Sequence, residues 1–271
     1  MAPAGVVPLE ERVCRQDQHA AHGSPREPGH LDDRRLRCMP IMSEDTLRWR
    51  GGWARLGPWR GHADVGYLSV GATRPLSTDV VERCVGALRR RGYASVVTSA
   101  LALGDALAFV DAGFTVRERL HLLAHDLDDL PPVDRSTRRA RRSDRSAVLA
   151  VDHLAFSPFW RLDETGLTNA IGATPSARFR VAGDDGAVAA YAITGRAGVQ
   201  GYLQRVAVRP QAQRQGWGRA VVADGLRWLR RHGVGRALVN TQLENDAGLA
   251  LYRACGFRPL PAGLCVMGRA L

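Results

Sequence analysis

Lysine is absent from the 271 residues, so all 38 basic side chains are arginines. Alongside abundant Ala, Gly and Val, this reads as the coding bias of a GC-rich genome. Cysteine is scarce and scattered: Cys14, Cys38, Cys84, Cys255 and Cys265 form no CxxC pair. That spacing argues against a zinc site or a disulfide framework and fits a reducing cytosol. No run of roughly 18 apolar residues is present, which argues against a membrane helix. Met1–Pro40 has charge scattered throughout and no apolar core segment, unlike a secretory signal. No GxSxG, HExxH or phosphate-loop GK[ST] pattern occurs. His121 and His125 share a strand face beside Asp126, but a third ligand is missing, so no metal is expected.

Aromatics are sparse, at 6%. The formal charge of +11 would suit a polyanionic partner, but the arginines are spread along the chain with few aromatics between them. The densest run, Arg135 to Arg145, lies beside an expected boundary. Nucleic acid is the weaker reading; a solvated face that attracts an anionic cofactor is the better one.

Apolar residues reach 45%, enough for a packed core. Residues 1–42 are rich in Pro, Gly, His and charge without periodicity, and read as a disordered tail or an over-extended start before Met42. Residues 43–130 form a first lobe, with helices expected at 79–91 and 105–112 and strands at 93–98 and, with one turn, 114–127. Pro131 and Pro132 mark a linker over 131–135. Residues 136–271 form a second lobe. There helices are expected near 143–156, 218–231 and 247–254, and strands at 178–182, 187–194, 198–208, 236–241 and 264–270. Mixed elements of this kind imply an α/β layered domain.

The lobes echo each other. Gly66-Tyr67-Leu68 recurs as Gly201-Tyr202-Leu203, Leu88 to Gly92 as Leu229 to Gly233, and Ala112-Gly113-Phe114 as Cys255-Gly256-Phe257. Leu68 to Leu88 spans 20 positions and Leu203 to Leu229 spans 26, so the first lobe is shorter where the second has a glycine-rich loop. The pattern predicts a tandem duplication with one degenerate copy.

That loop carries the chemistry. A strand ending at Val208 meets Arg209-Pro210, then Gln213-Arg214-Gln215-Gly216-Trp217-Gly218-Arg219 opens a helix. Backbone amides converging at a helix N-terminus suit a pyrophosphate, although a tight glycine turn without ligand would look the same. In this context Q-x-x-G-x-G after R-V-A-V-x-P resembles the acyl-CoA loop of the GNAT superfamily of N-acyltransferases. Asn245 opens NDAGLALYRACGF, similar to that family's second signature, with Gly248 a variant position. The resemblance covers about 136–271 well and the first lobe only as a worn repeat. It implies a mixed, mostly antiparallel sheet flanked by helices, in two tandem lobes, and an N-acetyltransferase using acetyl-CoA.

By the same resemblance, Val206, Ala207 and Val208 would pair with the pantetheine arm where the sheet splays. The amides of Gln213, Arg214, Gln215, Gly216, Trp217, Gly218 and Arg219 would hold the pyrophosphate. Asn245 would bond the cofactor arm or fix its loop, and Tyr252 would protonate the departing thiolate; its counterpart Phe109 could not. Phe159 and Trp160 would line the acceptor pocket or simply be core. Gln204 stands where many members carry a glutamate base, leaving Asp163, Glu164 and Glu244 as candidates by type. The acceptor is an amine of unspecified identity, on a monomer or homodimer without membrane attachment. An acyl-CoA-binding protein without turnover, or a basic nucleic-acid module on the same fold, are the rival readings.

Overall fold

Alternating apolar residues build most of the strands, and apolar residues at helical spacing build the helices that cover them. The computed structural model describes residues 45–184 and 186–271; the reading of residues 1–42 lies outside these. The first half runs β1 (Asp45–Trp49), β2 (Gly52–Trp59), β3 (His62–Ala72), α1 (Thr78–Arg90), β4 (Ser95–Thr98), β5 (Leu101–Ala102), α2 (Leu103–Asp111) and β6 (Thr115–His125). The second runs β7 (Arg138–Arg139), α3 (Arg145–Ala155), α4 (Glu164–Gly172), β8 (Ser176–Ala182), β9 (Ala190–Ala197) and β10 (Gln200–Val208). It continues with α5 (Trp217–Arg231), β11 (Arg236–Gln242), α6 (Asp246–Ala254), β12 (Arg258–Pro259) and β13 (Leu264–Ala270). The β1–β2–β3 meander and α4 have no counterpart in the elements expected from sequence. β6 is one unbroken strand, without the expected turn.

The thirteen strands of the described residues join one mixed, mostly antiparallel sheet, ordered β1-β2-β3-β4-β13-β6-β11-β10-β9-β8-β7, with β5 and β12 alongside. The parallel neighbours are β3–β4 and β10–β11. The sheet does not divide at 131–135. Instead each half sends its last strand into the other: β6 pairs with β11, and β13 pairs with β4. The segment after β6 is held along α5, where Arg227 Nη2 donates to the Pro131 carbonyl at 2.7 Å.

The two parallel pairs share a register. Tyr67 stands opposite Val97 as Tyr202 stands opposite Leu238. A Cβ on Gly66 would come within 3.0 Å of Leu88, and one on Gly201 within 2.6 Å of Leu229. Each glycine thus lets a helix leucine press onto its strand.

One sheet face carries α1 and α2 over Leu68, Val96, Cys265 and Met267, and α5 and α6 over Leu203, Val206, Ala237 and Val239. On the other face α3 and α4 pack on residues of both halves, including Val65, Val97, Leu120, Ala207 and Val266. No described helix is long and apolar enough to cross a membrane.

At the end of β6, His125 is buried and its Nδ1 accepts from the Leu127 amide at 2.8 Å. Burial pushes its pKa below the ordinary value, and Arg258 adds to this while Asp126 opposes it. A lowered native pKa means the unfolded chain binds the extra proton first. His125 therefore contributes stability above about pH 6.5 that is lost as pH falls. His125→Asn, which keeps an acceptor for Leu127, is expected to flatten the dependence of the urea midpoint between pH 7 and 5. An unchanged slope would remove His125 as its source.

Candidate active site

The site begins where two strands part. β10 and β11 are hydrogen-bonded from Gln200↔Arg236 to Tyr202↔Leu238, yet β10 continues to Val208 and β11 to Gln242. On its other side β10 stays paired with β9 through Val208. The cause is local: the β9–β10 register shifts between Leu203 and Arg205, and such a bulge bends a strand and raises its twist. A wedge follows, edged by the backbone of Val206, Ala207 and Val208.

Past the wedge, Pro210 ends the strand and a single 3-10 turn leads into the glycine loop. Arg214 (φ 64°) and Gly216 (φ 85°) both adopt the left-handed region. Gly216 is the N-cap of α5, and no side chain caps this helix. First-turn amides of a helix have no intrahelical partner. The loop therefore offers amides and the positive end of the helix dipole to an anion. Gly218 is needed for fit, since a Cβ there would lie 3.0 Å from Leu251 and 3.3 Å from Val208.

The side chains of this loop divide. Trp217 is buried in the core beneath Arg135, whose guanidinium lies 4.1 Å from the indole centroid, so its backbone alone faces the loop. Arg135 also donates to the Gln215 carbonyl at 2.6 Å. Arg219 is ion-paired with Asp134. Asn245 caps α6: its Oδ1 accepts from Gly248 N at 2.9 Å and its Nδ2 donates to Thr241 Oγ1 at 2.6 Å. These bonds are those of the loop-fixing role. A Cβ on Gly248 would come within 2.5 Å of the Asn245 amide, which accounts for glycine at that variant position. Tyr252 is buried against Phe257, and burial raises its phenol pKa well above the ordinary value, so it stays protonated at neutral pH.

Trp160 is core, and half-buried Phe159 packs against it. Both also join the halves. Trp59 Nε1 donates to the Phe159 carbonyl at 3.0 Å and Arg60 Nη1 to the Trp160 carbonyl at 2.7 Å. Among the candidate bases, Asp163 caps α4 through Gly166 N, Glu164 pairs with Arg145, and Glu244 is exposed just after β11. Gln204 is fully buried at the bulge. Its Nε2 reaches Thr174 Oγ1 at 3.3 Å, while its Oε1 has no partner among the described residues.

Sequence reasoning missed the network beside it. Arg205 and Asp152 are both fully buried and joined through Arg205 Nε at 2.8 Å. Tyr191 OH donates to the same carboxylate at 2.5 Å, and Leu162 N donates to it at 2.8 Å. Arg205 also donates to the Trp160 carbonyl at 2.7 Å and sits 3.3 Å above the Phe156 ring. A lone Asp in a helix and a lone Arg in a strand carry no local sign that they pair. Together they fix residues 156–162 over the wedge.

Residues 147–257 match the model of the acetyltransferase (GNAT) family. Ribosomal protein bS18-alanine N-acetyltransferase of Escherichia coli K12 is 37% identical over 73 residues, which is 27% of this chain and 49% of that protein. The chain thus spans about half the length of the curated relatives it matches. Among solved structures, a tandem GNAT protein from the clavulanic acid biosynthesis pathway superposes with TM-score 0.58 at 17% identity, over 81% of this chain and 79% of that one. An N-acetyltransferase from Kribbella flavida gives 0.56 at 17% identity, over 83% and 89%. The fold and the family match agree: residues 147–257 match the acetyltransferase (GNAT) family model, and the chain has the fold of solved GNAT proteins.

Proposed function

We propose that the second half transfers an acetyl group from acetyl-CoA to an amine by direct attack in a ternary complex. The observation that carries this reading is the wedge. A strand edge left unpaired from Gln204 to Val208 runs straight into an uncapped helix N-terminus at Gly216. An extended amide-bearing arm ending in a pyrophosphate matches that sequence of donors and acceptors. Val206, Ala207 and Val208 would pair with the arm, and the amides from Gln213 to Arg219 would hold the phosphates. Direct transfer needs a neutral amine held close and a proton for the leaving thiolate. Tyr252, kept protonated by burial, supplies that proton. The first half lacks the glycine loop and has Phe109 in place of the tyrosine, which supports reading it as a copy without its own chemistry. The relative acting on a ribosomal-protein alanine makes a protein α-amine one acceptor to test beside small amines.

A thermal-shift titration with acetyl-CoA, followed by thiol release against amines, tests the reading. Acetyl-CoA at about 100 times its Kd should add about 2.7 kcal/mol. No shift at any concentration would overturn the assignment, and a shift without thiol release on any amine would favour a binding protein. Tyr252→Phe is expected to keep the shift and lose about 100-fold in thiol release. Full activity in that variant would leave Tyr252 a packing residue.

A further inference from the structure

The exchanged strand β6 brings a carboxylate of the first half to the wedge. Glu118 is half-buried, opposite Val266 in register, and on the face covered by α3 and α4. The Trp160 side chain lies beside it. Trp160 is held at its other end by Arg205 of β10 and so spans from one side of the wedge to β6. Leu243, just beyond β11, donates its amide to the Arg119 carbonyl at 3.3 Å, which places Glu244 beside Glu118. Two carboxylates therefore stand at the open end of the parted strands, one from each half.

The wedge also holds polar groups with nothing to bond. Asn240 is two residues past the last β10–β11 pair and fully buried. Ala237 and Val239 face α5, so alternation turns Asn240 to the α3 face. Neither atom of its side-chain amide has a partner among the described residues, and the Gln204 Oε1 on β10 has none either. Buried amides are normally satisfied, and unpaired ones mark a place where a polar ligand completes them.

We infer that Glu118, delivered by the first half, takes the proton from the acceptor's ammonium, with Glu244 as the second carboxylate that attracts it. This rests on the acyl-transfer reading above. The acceptor class is then a cationic alkyl amine rather than an amine already neutral at pH 7. The Glu118 carboxylate accepts one ammonium proton, and the freed nitrogen lone pair forms the C–N bond to the thioester carbonyl carbon. The C–S bond breaks, the thiolate sulfur takes a proton from Tyr252, and the second nitrogen proton restores the tyrosine. Glu118 returns its proton to solvent. Burial, and next the like charge of Glu244, raise the Glu118 pKa against the opposing effect of the Trp160 side chain, making it a stronger base than a free carboxylate. The first half is thereby part of the active site without a glycine loop of its own and with Phe109 in place of the tyrosine.

The test uses the full chain and Glu118→Gln, Glu118→Asp and Glu244→Gln. Acetyl-CoA binding, read by thermal shift, should be unchanged in all three. Glu118→Gln should lower kcat/KM for an alkyl amine at pH 7 by about 100-fold, with the loss shrinking as pH approaches the amine's pKa. An arylamine, neutral at pH 7, should lose far less. Glu118→Asp should recover part of the rate, and Glu244→Gln, at an exposed position, should raise KM for the alkyl amine. Equal losses on both amine classes, or a pH-independent loss, would make Glu118 structural and overturn the inference. Activity within twofold of the parent would do the same. A parent chain that neither binds acetyl-CoA nor releases thiol would instead overturn the acyl-transfer reading itself.

Discussion

Asp152→Ala is expected to cost about 3–5 kcal/mol, because it leaves the buried Arg205 guanidinium without its counter-charge. Tyr191 OH and the Leu162 amide lose their acceptor in the same step. The whole stability of a domain is about 5–15 kcal/mol, so this is a large fraction of it. Tm should fall by on the order of 10 °C. The effect belongs to the unpaired charge rather than to the pair as such. Exchanging both partners for apolar residues, as Asp152→Leu with Arg205→Met and Tyr191→Phe, should recover most of the loss. If the single variant melts within about 2 °C of the parent, the network is not what holds residues 156–162 in place. If the triple variant stays as unstable as the single one, lost packing rather than charge is responsible.

Gly216→Val should remove acetyl-CoA binding almost completely. There is room for a side chain, since the nearest atom to an added Cβ is Arg135 at 3.7 Å. The obstacle is the backbone, held at φ 85°. A β-branched residue resists this region, at a cost of about 1–3 kcal/mol, and the loop would relax to a conformation in which its amides no longer converge. Asparagine enters the left-handed region more readily, so Gly216→Asn should keep measurable affinity where Gly216→Val does not. Both should lower the ligand-free Tm only modestly. Undiminished affinity in the valine variant would falsify the loop as the pyrophosphate site.

Much of the second half was legible because its signals are local. Leu264–Ala270 is the strand expected, and the helix after Gly216 starts within one residue of its expected position. Glycine at a left-handed N-cap, proline at a strand end and leucines at helical spacing act through neighbouring atoms, so the sequence displays them. The echo between the two halves of the sequence has a related local basis. Gly66 with Leu88, and Gly201 with Leu229, make the same kind of helix-on-strand contact at two places.

What lay beyond the sequence depends on partners far along the chain. The wedge needs a bulge at Gln204, and nothing in YLQRVAV says where the β9–β10 register will shift. That Asn245 caps α6 rests on the positions of Thr241 and Gly248 around it. That Trp160 is buried rests on contacts with Trp59 and Arg205, far from it in the chain. By itself the sequence determined the local elements, the glycine loop and its kinship to the family. The tertiary structure decided that β6 and β13 change places, and with them that Glu118 stands beside Glu244. Alternation sets which face a strand residue occupies, but strand order is fixed by pairing between distant segments that no local pattern encodes.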